Sequence, residues 1–390
     1  MSANEVNIQI DATTAAALDA AGLGRHSNPS SQQDERAAAD AARRDALLET
    51  MTPLDARAVR SLLAGRSVVD WRRLAFSDRD EVVRFLDANG FDIDRPNELA
   101  RLIELHRRAI EYVVATWNVT IPESVSAPQD ICEILLLASG ADGEQQRAAC
   151  VVLKVMHVIN HLEARRLIHH LNVSERTLYD AAGSKVDEFV QRMHRDGLGV
   201  IGYVPSKKKD HSLVTKLISK PRVTAAQIFD KLRFRLTTRE RADLVPVVLW
   251  LTRYLFPFNH VVPGESHNTI LDEAALSETL DAHLARAESV WDPDSPVEEP
   301  ENPMTSDNFR TINFVVELPV RISRIRQELP ERLEHLGHLV LVALEFQLCD
   351  RATSEDNERG DSSHAAYKKR QLSTVSTRLW GAAPPSMLKR

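Results

Sequence analysis

The sequence predicts an α+β protein in which an all-α N-terminal region precedes a mixed β-sheet domain. Three observations predict it. Apolar residues recur at helical spacing from about residue 46 to 195, the period changes to two near residue 222, and two long apolar runs rich in β-branched residues follow at 313–318 and 339–348. A chain of 390 residues exceeds one ordinary core, so two domains with irregular ends are expected.

Residues 1–45 are rich in Ala, Asp, Ser, Gln and Arg and read as a flexible tail. A helical domain is expected over 46–198. Its apolar positions include Val59 with Leu62 and Leu63, Val82-Val83 with Phe85-Leu86, and Leu99, Leu102, Ile103 and Leu105 running into Ile110 and Val113. The longest helix, about Gln145–Leu171, carries Val151 to Leu162 in a stripe wide enough to be buried on more than one side. The sheet domain is expected over 199–371. Leu232, Phe234 and Leu236 alternate with Arg233 and Arg235, the period of a half-buried strand. Asp243–Phe256 reads as an apolar helix, Asn259–Pro263 as a further strand, and Glu273–Ser289 as a helix inside an insertion over about 264–303. That insertion ends in the acidic, Pro-rich segment 292–303, a solvated loop. Residues 372–390 read as a second flexible tail.

Hydrophobic residues at 43% and charged residues at 27% fit a soluble globular chain, and no apolar run reaches bilayer length. Cys132, Cys150 and Cys349 are too far apart for a disulfide framework or a zinc site, so a reducing cytoplasm is expected. The net charge of −7 argues against wholesale nucleic-acid binding. No Walker loop, dinucleotide glycine fingerprint or Gly-x-Ser-x-Gly elbow occurs, which removes support for P-loop ATPase, dehydrogenase and α/β-hydrolase chemistry. His157 and His161 stand four apart without a zinc-protease glutamate between them, and read as satisfied or interfacial histidines.

Four blocks between residues 206 and 368 bear chemistry. Lys207, Lys208 and Lys209, with Lys216 and Lys220 behind them, supply charge for phosphates, and Arg235 supplies a forked donor. Asp230 and Glu345 sit at a strand head and near a strand end, where both carboxylates could face one cleft and take a divalent metal. Gln347 shares the strand face of Glu345. Phe309 lies between Asn308 and Arg310 at a strand start, where an aromatic can stack on a nucleobase. Taken singly, each block has an ordinary structural reading: solvated acids, a solvated charge run, a ring at the core edge.

Read together, the blocks resemble the synthetase domain of the RelA/SpoT alarmone-synthetase family, a nucleotidyltransferase, over about residues 200–370. Lys207-Lys-Lys209 with Ser212-Leu-Val-Thr-Lys216 is similar to the family's basic segment and Ser-Ile-x-x-Lys helix, and Asp230 with Arg235 matches its Asp-to-Arg spacing. Phe309-Arg310-Thr311-Ile312-Asn313 resembles Tyr-Arg-Ser-x-His, Glu345-Phe-Gln347-Leu348 resembles Glu-x-Gln-[Ile/Leu], and His364-Ala-Ala-Tyr367-Lys368 resembles His-x-x-Tyr-Lys. The resemblance implies transfer of pyrophosphate from ATP to the 3′-hydroxyl of GDP or GTP. It implies Mg²⁺ on Asp230 and Glu345, and ATP phosphates on Lys207, Lys209, Lys216, Lys220 and Arg235. Phe309, Asn313, Gln347, His364 and Tyr367 would form the acceptor side, with Phe309 stacked on guanine. Phe309, Asn313, Cys349 and Asp350 replace Tyr, His, Arg and Thr of the family pattern, which predicts an altered acceptor or weak activity. No His-Asp hydrolase signature occurs in the helical half. Two other readings stay open: a related transferase acting on another acceptor such as an RNA 3′ end, and a non-catalytic nucleotide sensor. A wet cleft is expected around Glu345, so that Glu345→Gln would leave stability nearly unchanged.

Overall fold

The computed structural model describes residues 29–63, 74–140, 143–208, 210–219, 231–272, 276, 280, 308–325 and 330–380. Helices occupy the first half: α1 (Pro29–Glu49), α2 (Pro53–Leu63), α3 (Arg79–Ala88), α4 (Pro96–Trp117), α5 (Glu123–Ser126), α6 (Cys132–Ala138), α7 (Glu144–His170) and α8 (Glu175–Arg195). Their starts follow local chemistry. Asp78 caps α3 by accepting from the Glu81 amide, Ser174 caps α8 by accepting from the Thr177 amide, and Pro96 opens α4. Strands and helices then mix: β1 (Val200–Lys207), α9 (Asp210–Ser219), β2 (Leu232–Thr238), α10 (Leu244–Tyr254), β3 (His267–Asn268), β4 (Ile312–Arg321), β5 (Leu339–Asp350), α11 (Arg351–Asn357) and α12 (His364–Trp380). The fold is α+β, a helical region followed by a mixed sheet.

The sheet order is β1-β2-β5-β4-β3, with β2 and β5 parallel and the other pairs antiparallel. One face is apolar across the middle of β2, β5 and β4. Phe234, Phe346 and Phe314 stand on neighbouring strands with ring centroids 5.5 Å apart at each step, and all three are fully buried. The apolar helix α10 belongs to this core, as do residues of α2 and α8 such as Val59, Leu62, Val186 and Met193. The larger core therefore draws on both sides of the expected boundary at 198. A second core lies among α3, α4, α6 and α7.

Several expectations are corrected. β1 escapes sequence reading because its side chains are mostly exposed and carry no alternation; backbone pairing to β2 alone makes it a strand. Asn259–Pro263 is not a full strand. Phe258–His260 is a 3₁₀ turn, Val261 makes an isolated bridge to Val316, and the edge strand falls at His267–Asn268. The expected tail over 1–45 is helical from Pro29; Arg239 meets Asp40 at 2.9 Å, Arg44 meets Asp243 at 3.5 Å, and Leu47 and Leu48 pack on the larger core. The expected tail at 372–390 is helical to Trp380, with Gln371 buried beneath it. Segment 292–303, and all of the expected helix over 273–289 but Leu276 and Leu280, lie outside the described residues. No helix among the described residues is long and apolar enough to cross a membrane.

Candidate functional site

The second face of the sheet is polar around Glu345 and Gln347, and its register there sets out a site. Arg233 pairs laterally with Glu345 and with Ser206; Arg235 pairs with Gln347, and Gln347 with Asn313. Lateral partners project to the same side. Arg233, Arg235, Glu345, Gln347 and Asn313 therefore form two adjacent rows on one face, while Leu232, Phe234 and Leu236 fill the core on the other. Parity along one strand was legible; the alignment of three strands was not.

Glu345 is buried at the centre. Arg233 Nε donates to its Oε2 at 2.6 Å, and Gln347 Nε2 donates to Oε1 at 3.3 Å. The Asn313 amide, oriented to satisfy its neighbours, donates to the same Oε1 at 2.8 Å and to the Phe346 carbonyl at 3.0 Å. The carboxylate thus sits in a fan of N–H donors, an arrangement that fixes the Arg233 guanidinium in place.

Cations gather around this pair. Lys208 follows β1, its amide donating to the Lys231 carbonyl at 3.0 Å. Burial, and then the charges of Lys216, Arg233 and Lys368, push the Lys208 ammonium down to about 6, with Glu345 offsetting part of the effect. Lys216 comes from α9 and Lys368 from α12. These helices are joined where the buried Gln371 donates to Ser219 Oγ at 3.4 Å and accepts from Lys368 Nζ at 3.1 Å. Arg235 reaches Glu358 at 3.7 Å across a more exposed edge, a contact that holds it weakly.

The predicted residues divide accordingly. Glu345, Arg235, Gln347, Asn313 and Lys216 come together. Lys207 does not. It pairs with Leu232 in the register, so it projects to the apolar side, where its Nζ lies 5.2 Å from the centroid of the Tyr179 ring. Lys208 stands at the cleft instead. Phe309 is half-buried in the turn leading into β4, and its neighbour is clamped: Asn357 accepts from the Arg310 amide at 3.0 Å and donates to the Arg310 carbonyl at 2.7 Å. Tyr367 is half-buried on α12, and His364 begins that helix. Asp230, Lys209 and Lys220 lie outside the described residues, as does the side chain of His364. Two departures from the motif have local structural roles. Asp350 caps α11 by accepting from the Thr353 amide at 3.0 Å and hydroxyl at 2.7 Å, and Cys349 is buried beside Thr237. Sequence reading gave Arg233 and Lys368 no phosphate-binding role, and took Lys208 only as one of three consecutive lysines. The Arg233/Arg235 alternation was the available signal for the first; only register and helix docking select the two lysines.

Chemically, the cleft can take an anion of several charges. Lys216, Lys368, Arg233 and Arg235 outnumber Glu345 and Glu358, Lys208 can gain a proton when an anion binds, and the Glu345 fan offers a rigid guanidinium rather than a mobile one. Of the two carboxylates expected to hold a divalent metal, only Glu345 lies among the described residues. Its two oxygens already accept from nitrogen donors, and no group of three metal-ligating side chains occurs among those residues.

The chain matches no protein-family model and no curated protein. Among solved structures it is similar to small alarmone synthetase 1 from Bacillus subtilis, at 12% identity over 53% of this chain and 91% of that one, with a TM-score of 0.29. It is also similar to small alarmone synthetase 2 from Bacillus subtilis, at 15% identity over 50% and 90%, again with a TM-score of 0.29. At that score the superposition is loose, and neither likeness carries weight below.

Proposed function

We propose that the chain is a divergent RelA/SpoT-like pyrophosphokinase that transfers pyrophosphate from ATP to the 3′-hydroxyl of a guanine nucleotide, GDP or GTP. One observation carries the reading: the Arg233–Glu345 pair lies in register on one sheet face with Arg235 beside it, and Lys208 feels the charges of that pair and of Lys216 and Lys368. A polyphosphate donor calls for several cations within contact distance. The motif order from Lys207 to Lys368 supports the same assignment.

In this reading Lys208, Lys216 and Lys368 bind donor phosphates, and Arg233 directs its fork at the oxygens that gain charge as the bond to the leaving nucleotide lengthens. Glu345 acts through Arg233, holding the guanidinium in one orientation. Phe309, fixed by the Asn357 clamp on Arg310, receives the acceptor base, and Asn313, Gln347, His364 and Tyr367 stand on the acceptor side. The Mg²⁺ implied by the motif resemblance would be held by Asp230 and Glu345 and would neutralise phosphate charge. The described half of that pair is committed to nitrogen donors, so every role above rests on the cations.

Purified protein incubated with labelled ATP and separately with GDP, GTP and an RNA oligonucleotide tests the proposal. Label appearing in a guanine nucleotide bearing a 3′-pyrophosphate is the expected result. Transfer to RNA alone would establish the RNA 3′-end alternative, which the net charge of −7 disfavours. Nucleotide binding without transfer would leave a sensor.

A further inference from the structure

Helix α7 is apolar on two sides, and the fold covers one of them. Ala149, Val152, Leu153 and Met156 are buried in the second core. Val151, Val158 and Leu162 stand 41%, 45% and 48% exposed, with Val155 half-buried among them. These four side chains are spaced by four, three and four residues, so they form one stripe along about three turns of the helix. Half-buried Ile159 lies beside the stripe. Helix α4 adds Tyr112 on that side: it is exposed and stands one turn beyond Arg108, whose guanidinium reaches Glu163 of α7 at 2.5 Å. An apolar stretch this wide implies burial on more than one side, and a second apolar face left in water marks an interaction surface.

The borders of the stripe carry cations. Lys154 lies between Val151 and Val158 along one edge, Arg147 stands one turn before Val151, and Arg165 and Arg166 follow Leu162; all four are exposed. Arg165 also meets Glu317 at 2.6 Å. Of the two acids of α7, Glu163 is buried between Arg101 and Arg108, and Glu144 is the first residue of the helix, two turns ahead of Val151.

We propose that this face of α7 docks a helix of another protein that carries an apolar stripe between acidic side chains. Charge complementarity selects that occupant. Two copies of this chain laid antiparallel along the stripe would set the Lys154 edge against itself. Three valines and one leucine give a bilayer surface little to hold. A helix whose leucines enter the valine stripe, with Glu or Asp along its edges, covers both apolar faces and meets Lys154 and Arg166. The surface shares no residue with the sheet cleft and is independent of the function proposed above.

Two fluorescent helical peptides with the same leucine stripe, one bordered by Glu and the other by Lys, are titrated with full-length protein and followed by anisotropy. The Glu-bordered peptide is expected to bind about tenfold or more tightly at low salt, the value of two or three exposed ion pairs, and the difference should shrink as salt rises. The chain's net charge of −7 acts the other way and would draw the Lys-bordered peptide, so the preference reports the local surface. Val158→Glu is expected to abolish binding and Lys154→Glu to erase the preference, both with an unchanged melting temperature because the positions are exposed. Equal binding of the two peptides, binding of neither, or full binding to Val158→Glu would overturn the proposal. So would a dimer in sedimentation velocity that Val158→Glu dissolves, which makes the occupant a second copy, or binding to anionic vesicles that the same variant abolishes. The peptide comparison decides the matter in the unmodified protein even if a variant fails to fold.

Discussion

Binding of a polyphosphate should draw a proton onto Lys208. Its ammonium is pushed down to about 6 by burial and by Lys216, Arg233 and Lys368, so at pH 8 only about 1% of the free protein carries that proton. Phosphate oxygens within about 4 Å each contribute on the order of 4 kcal/mol at an effective dielectric of 20, enough to restore the charge. Net uptake should therefore approach one proton, and at least about half a proton after allowing for solvent at the cleft mouth. Titration calorimetry of ATP binding at pH 8, in buffers of differing ionisation enthalpy, reads the uptake as the slope of the observed enthalpy. ATP is almost fully deprotonated at that pH and adds little of its own. Lys208→Met should flatten the slope and weaken binding. A slope of zero in the unmodified protein, or the same slope in Lys208→Met, would refute the placement of Lys208 among the cleft cations. The same depression makes a stability statement. Between about 6 and 10.5 the unfolded chain holds the proton and the folded chain does not, so on this account stability rises with pH through that window.

Glu345→Gln should now lower stability, by about 2 kcal/mol, because it strips a buried partner from Arg233; urea unfolding measures the loss, and transfer activity should fall at least tenfold with it. Lys207→Ala should leave nucleotide affinity unchanged while Lys216→Ala weakens it; equal effects in equilibrium binding would contradict the sheet register. Glu317 is buried, which alone would raise its carboxyl, but hydrogen bonds from His161 at 2.9 Å and Arg165 at 2.6 Å prevail and hold it at about 2. Its pairing stabilises the fold above the unfolded value near 4.5 and is lost as pH falls toward 2, a contribution on the order of 3 kcal/mol. Glu317→Gln should therefore be less stable at pH 7 and show a shallower acid transition by circular dichroism.

The histidine pair on α7 illustrates how far sequence reading reached. Its spacing alone favoured satisfied residues, and His161 is satisfied by Glu317 while His157 meets Asn259; neither partner was foreseeable, since Glu317 and Asn259 are brought in from β4 and from the turn before β3. The lysine run shows the opposite failure. Three consecutive lysines were legible as a charge source, but β1 carries no alternating apolar signal, so nothing in the run said which lysine faces the cleft.

Local periodicity and composition determined the elements. The alternation Leu232, Phe234 and Leu236 against Arg233 and Arg235, and the apolar runs of β4, β5 and α10, report how each segment meets its own surroundings, which is a property of neighbouring residues. Strand order and register are set by contacts between segments far apart in the chain, and only they bring Glu345 onto Arg233 across 112 residues and leave Lys207 on Tyr179. A shift of one residue in β1 would exchange Lys207 for Lys208 at the cleft, because strand side chains alternate faces. The sequence therefore determined that a cationic sheet face exists. The tertiary pairing decided which cations occupy it and set the carboxylate of Glu345 against the Arg233 guanidinium.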